Sequence, residues 1–149
     1  MAIGKNLIWL GPADGANDNP LIIEGVALSA ATLPGTVVEQ VATGLQTNAA
    51  AATVMGQERL VADKNQWENR PITEAWTQNE NMMAVLFRSG EVGNVLVATG
   101  NNITAKGVPL SLNGSGLLQI ATVATDQVIA FSDEIVNVTA NALVRVRFA

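Results

Sequence analysis

The chain has 149 residues, thirteen acidic side chains against eight basic ones, a formal charge of −5, and neither cysteine nor histidine. Disulfide frameworks, thiolate nucleophiles, zinc sites with Cys or His ligands and every imidazole-dependent triad are therefore excluded. The few bases are scattered, so no positive stripe exists to neutralise a row of phosphates, and nucleic acid is not expected as a partner.

The length suits one domain. Hydrophobic residues make up 48% of the chain but aromatic ones only 4%, which points to a core of Val, Leu, Ile and Ala. A charged share of 14% argues against a disordered tail or a coiled coil. Thirteen glycines, with many Val and Thr, favour strands and tight turns over long helices.

Residues 1–20 read as an arm: the apolar patch Leu7-Ile8-Trp9-Leu10 is followed by GPADGANDNP, a cluster of loop formers. The patch is too short for a signal-peptide core, and no stretch approaches a membrane span. The expectation is a soluble protein made in the cytoplasm, with no membrane partner. The patch has two equal destinations, its own domain or a neighbouring chain. Asp14 to Asn19 resembles a calcium loop only superficially, because Ala16 breaks the required order. No metal or cofactor is expected.

Residues 21–149 are expected to form a single β domain. LIIEGVALS (21–29) and TVVEQVATG (36–44) are strand-like, separated by Leu33-Pro34-Gly35. Further strands are expected over Thr53 to Met55 and Arg59 to Ala62. The stretch 64–81, KNQWENRPITEAWTQNEN, is polar and holds Trp67 and Trp76, two of the three tryptophans. It reads either as a surface excursion whose rings make contacts or as a flap whose rings fold back onto the domain.

Met83 to Arg88, Ser89-Gly90-Glu91 and Val92 to Ala98 then suggest a hairpin. Val108 to Leu112 and Leu117 to Thr122 suggest another, around Asn113-Gly114-Ser115-Gly116. Gln127 to Val136 reads as one strand and Asn141 to Ala149 as the last. In that last strand Val144, Val146 and Phe148 share one face, and Arg145 and Arg147 the other. The fold class is all-β, a small sandwich or barrel of short antiparallel strands with an N-terminal arm and a tryptophan-bearing excursion.

KGVPLSLNGSGLLQI (106–120) invites a phosphate-loop reading, but Lys106 precedes the glycines and β-like residues follow Gly114 and Gly116. Neither nucleotide fingerprint fits. The stretch is a turn. Carboxylates are the remaining acid–base groups, and a glycosidase pair would have to come from Glu24, Glu39, Glu58, Glu74, Asp133 and Glu134. Adjacent Asp133 and Glu134 point to opposite faces of a strand, and one of them is placed to pair with an arginine of the last strand. An enzyme is not expected. Three Asn-x-Ser/Thr sequons, at Asn102, Asn113 and Asn137, carry no weight without a secretion signal.

ITAKGVPLSLNGSGLLQIATVATDQVIAFSDEI, closed by NALVRVRFA, resembles the head decoration, or cement, proteins of tailed bacteriophages. TVVEQVATG and MGQERLVADKNQ are similar to the strands that open that module, so the resemblance spans roughly residues 36–66 and 83–149. It implies a structural protein on the outer surface of the virion head, bound to the major capsid protein. Such a protein clamps neighbouring capsomers as a homo-oligomer, a trimer favoured over a dimer. The arm (Leu7, Ile8, Trp9, Leu10) and the excursion (Trp67, Trp76) are then the candidate contact residues, with Arg70 and Arg88 as partners for acids on the shell. The alternative is a carbohydrate-binding β-sandwich with Trp67 and Trp76 as an exposed platform.

Overall fold

A computed structural model of the chain describes residues 5–12 and 19–149, all strands, turns and loops, with no helix among them. In chain order the strands are β1 (Trp9–Gly11), β2 (Leu21–Val26), β3 (Ala31–Thr32), β4 (Val37–Val41) and β5 (Gly44–Thr47). Next come β6 (Leu60–Ala62), β7 (Trp76–Thr77), β8 (Asn81–Leu86), β9 (Val92–Val97) and β10 (Asn101–Ile103). β11 (Pro109–Leu112), β12 (Leu118–Ile120), β13 (Ala130–Ser132), β14 (Val136–Val138) and β15 (Ala142–Phe148) follow.

The largest sheet runs β1-β9-β12-β11-β13-β15, and an additional β9–β15 pairing closes its last five strands into a small barrel. β15 carries the closure. Its alternation lets Val144, Val146 and Phe148 point inward while six residues pair with β9, from Ala142↔Val97 to Arg147↔Val92. The β11–β12 hairpin forms as the sequence suggests, but its turn works differently. Positive φ falls on Gly114 and Gly116, not on Asn113. The Asn113 side-chain oxygen instead accepts hydrogen bonds from the Ser115 and Leu117 amides at 2.9 and 3.2 Å.

A second sheet, β2-β8-β6-β4-β5, is drawn together at its edges by the parallel bridge Ala27↔Leu45. Its central strands β6 and β8 are buried on both faces. Val38, Leu60, Ala62, Met82 and Ala84 pack with Leu45 and Trp76 in one cluster. Their alternates Val37, Val61 and Val85 join the barrel's own core. Strand periodicity thus splits consecutive residues between two cores, which explains why β6 and β8 read as nearly continuous apolar runs. Phe87, the next residue after β8, stacks on Phe148 of the barrel at 4.2 Å between ring centroids. The Gly116 carbonyl accepts from the Val37 amide at 2.8 Å, so the hairpin turn also ties the two sheets together.

Three expectations are corrected. β8 and β9 exist but do not pair, because they lie in different sheets. The turn between them, closed by the Glu91 amide to the Arg88 carbonyl at 3.2 Å, is a crossover that delivers Phe87 into the shared core. Thr53 to Met55 is a turn, with the Val54 amide donating to the Ala51 carbonyl at 3.0 Å. The strand expected from Gln127 to Val136 breaks into β13 and β14 in different sheets. The break falls at Asp133-Glu134, where the Asp133 amide donates to the Arg145 carbonyl and Glu134 accepts from the Arg145 amide. Of the two destinations open to the arm, its described part takes its own domain, since Ile8 is a core residue.

Candidate functional site

The arm is held by backbone and side chain together. β1 pairs with β9 through Trp9↔Gly93, the Asn94 amide donates to the Ile8 carbonyl at 2.7 Å, and Asn94 Nδ2 donates to the Leu7 carbonyl at 2.7 Å. Lys5 Nζ donates to the Leu143 carbonyl at 2.9 Å and pairs with Glu134. Ile8 is therefore spent internally and Trp9 is half-buried, whereas Leu7 (51% exposed) and Leu10 (40%) remain open to a partner. The acidic loop considered at Asp14 to Asp18 lies outside the described residues. Among the described residues no group of three or more acidic side chains is placed to hold a metal ion.

The excursion is a self-supporting loop. Asn65 Oδ1 accepts from the Glu68 amide at 3.1 Å, the Arg70 amide donates to the Asn65 carbonyl at 3.0 Å, and Asn69 takes a positive φ of 51° between them. Trp76 is buried, and its indole N–H donates to the Asp63 carbonyl at 2.7 Å. β7 fixes this position by pairing with β3. Trp76 is thus the ring that folds back, and a platform of two exposed tryptophans does not form. Trp67 alone is open, at 56%.

Arg70 does not present itself to acids on a partner. Its guanidinium forks onto both Glu80 oxygens at 3.1 and 2.7 Å, and lies 2.5 Å from Glu68 and 3.3 Å from Glu74. Glu80 foremost, and Glu68 with it, raise the Arg70 pKa, and Arg70 in turn holds the Glu80 carboxyl below its ordinary range, helped by the Thr77 amide. Asp63 shows the opposite shift. Burial pushes its carboxyl up, partly offset by hydrogen bonds from the Lys64 amide and the Gln66 side chain. Arg88 is exposed at the crossover turn, where its amide donates to Glu91 at 2.8 Å. Arg145 Nε donates to Asp133 at 2.8 Å, so one of the two adjacent acids does pair with an arginine of the last strand, but from the break after β13 and not across paired strands.

Arm and excursion, distant in sequence, meet at one groove of about 590 Å³. Lys5 and Asn6 come from the arm and Ile72 and Thr73 from the excursion, while Leu33 and Pro34 form another wall. Its floor is the outward-facing pair Leu96↔Leu143 of the β9–β15 ladder. Gly35 makes the close approach possible: its φ of 93° suits glycine, and a Cβ there would sit 2.4 Å from Leu143 Cδ2. Sequence reasoning missed this groove, although its signal was visible. Leu143 interrupts the polar face of an otherwise strictly alternating strand. A smaller cleft lies on the excursion beside Trp67. Comparison of the chain with protein-family models and with curated proteins finds no match.

Proposed function

We propose that this chain is a structural virion protein that binds the outer surface of an assembled capsid shell and cements neighbouring capsomers, acting as a homo-oligomer with a trimer favoured. The observation that carries the reading is the convergence of arm and excursion on one open groove with an apolar floor. Leu7, Leu10 and Leu33 stand exposed on the arm and the groove's rim segment. The resemblance of roughly residues 36–66 and 83–149 to phage head decoration proteins supplies the class of partner. A cement protein needs adhesion rather than turnover, and many copies on one lattice supply avidity, so each groove contact can be individually weak.

Co-sedimentation of the purified chain with intact and decoration-stripped phage heads tests the proposal. Saturation at a fixed ratio to capsid protein, with heads made more heat-resistant, is the expected result. Absence of binding to any head form overturns it. Leu33→Ser, a change at an exposed groove position, is expected to lower head occupancy while leaving the unfolding midpoint nearly unchanged.

A further inference from the structure

We propose that the cleft beside Trp67 receives a cationic side chain, arginine or lysine, from a protein partner. For the partner's identity this rests on the capsid-docking reading above, while the chemistry of the cleft stands on its own residues.

The cleft encloses about 330 Å³ between Asn65, Trp67, Glu68, Trp76, Glu80 and Asn81. Its walls hold two carboxylates, two amides and two indoles, and no cation. Arg70, which pairs with both carboxylates, does not line it. From Asp63 to Asn81 four acids face two bases, so the segment keeps two negative charges after its internal pairing. An exposed indole presents a negative π-face to a cation, and carboxylates beside it add to that attraction. An anionic ligand would meet repulsion from the same groups.

The geometry is set before any ligand arrives. Asn65 is buried and its Nδ2 donates to Glu68 Oε2 at 3.2 Å, while its Oδ1 holds the Glu68 amide. Arg70 clamps Glu80 from outside the cleft. Trp76 closes one wall and is itself fixed by its bond to Asp63. Glu68 Oε2 already takes Asn65 and Arg70, and Glu80 Oε2 takes Arg70 and the Thr77 amide, so the unspent acceptor capacity is on the two Oε1 atoms. The Asn81 side chain makes no hydrogen bond among the described residues and is available as well. Trp67, Glu68 and Asn81 are the exposed parts of this wall, and a ligand that covers the Trp67 ring reaches the Glu68 carboxylate as well.

The experiment uses the full chain labelled with 15N, following the indole N–H signal of Trp67, assigned by its disappearance in Trp67→Phe. The probes are acetyl-Gly-Arg-Gly-amide, acetyl-Gly-Glu-Gly-amide and maltose. A saturable shift with the arginine peptide alone is expected, weakened about five-fold in Glu68→Gln, the scale of an exposed cation–π contact with its charge support. Salt at about 0.3 M is expected to weaken it further. No saturable shift with the arginine peptide, an equal shift in Glu68→Gln, or a shift with maltose alone would overturn the proposal. In the head assay, wild-type binding with Glu68→Gln and Trp67→Ala binding equally well sinks the cleft and leaves the docking role standing. If the wild type binds no head, the docking role fails and the peptide titration still decides the cleft.

Discussion

Gly93 shows how much of this fold hangs on single positions. It needs no unusual φ; it needs the space. A Cβ there would lie 2.4 Å from Phe87 Cζ and 2.9 Å from the Ile8 carbonyl oxygen, in the middle of the contact where β1, β9 and the Phe87–Phe148 stack meet. The ring can give only by leaving Phe148, and the carbonyl belongs to backbone. Gly93→Ala is therefore expected to destabilise by about 1–3 kcal/mol, the usual cost of overpacking a filled core, read from the urea midpoint. Trp76→Ala should cost about 3–5 kcal/mol by emptying the smaller core and leaving the Asp63 carbonyl without its donor. Two carboxylates add opposite pH signatures. Asp63 has a raised folded pKa, so the wild type loses stability as pH rises through that value, and Asp63→Asn should gain on the wild type from pH 3 towards pH 7. Glu80 has a lowered folded pKa, so its contribution is present above the ordinary glutamate value and disappears as pH falls. Glu80→Gln should therefore lose most relative to the wild type at neutral pH and least in acid. Thermal unfolding of both variants across that range checks the two signs together.

At the scale of elements, the strands themselves were legible and their partners were not. β15 was plain because one of its faces is apolar and the other largely charged, and period two then admits only one orientation. The β11–β12 hairpin was plain because its turn residues are local. β8 and β9 were read as a hairpin for the same local reason, a Ser-Gly-Glu turn between two apolar runs. Pairing, however, was decided by residues far away: β9 finds six partners on β15, and β8 finds six on β2. Both runs are buried on two faces, so neither carried an alternation that could reveal which sheet it served. The break at Asp133-Glu134 was hidden in a different way. Both acids fit a strand by position, and only Arg145 and Lys5, brought in by other elements, turn them into a corner. The site divides likewise. The exposure of Trp67 and an arginine partner for one of the two adjacent acids could be read locally. The burial of Ile8 and Trp76, the capture of Arg70 by three glutamates, and the groove between arm and excursion all depend on closure of the sheets.

For the whole molecule the question is whether two closed sheets behave as two domains or one. Each has a core of its own, which would allow separate unfolding. The connections argue otherwise. Val37, Val61 and Val85 belong by sequence to the second sheet yet pack into the core of the barrel, and Phe87 stacks directly on the barrel strand β15. The Val37 amide bonds to Gly116 and the Leu96 amide to Gly35, so hydrogen bonds cross the seam in both directions. Unfolding the barrel alone would strip one face from β4, β6 and β8 and expose three buried valines at about 1.5–3 kcal/mol each. The second sheet, with its smaller core, is not expected to survive that loss. Urea unfolding should accordingly be a single transition, coincident by far-UV circular dichroism and by tryptophan fluorescence, since Trp9 reports on the barrel seam and Trp76 on the other core. Val61→Ala should move both probes to lower urea by the same amount. Two resolved transitions, or a shift in one probe alone, would mean that the sheets are independent units. Such a molecule would yield at its own seam under load, whereas one that unfolds all at once carries strain across both sheets until the shared core gives way.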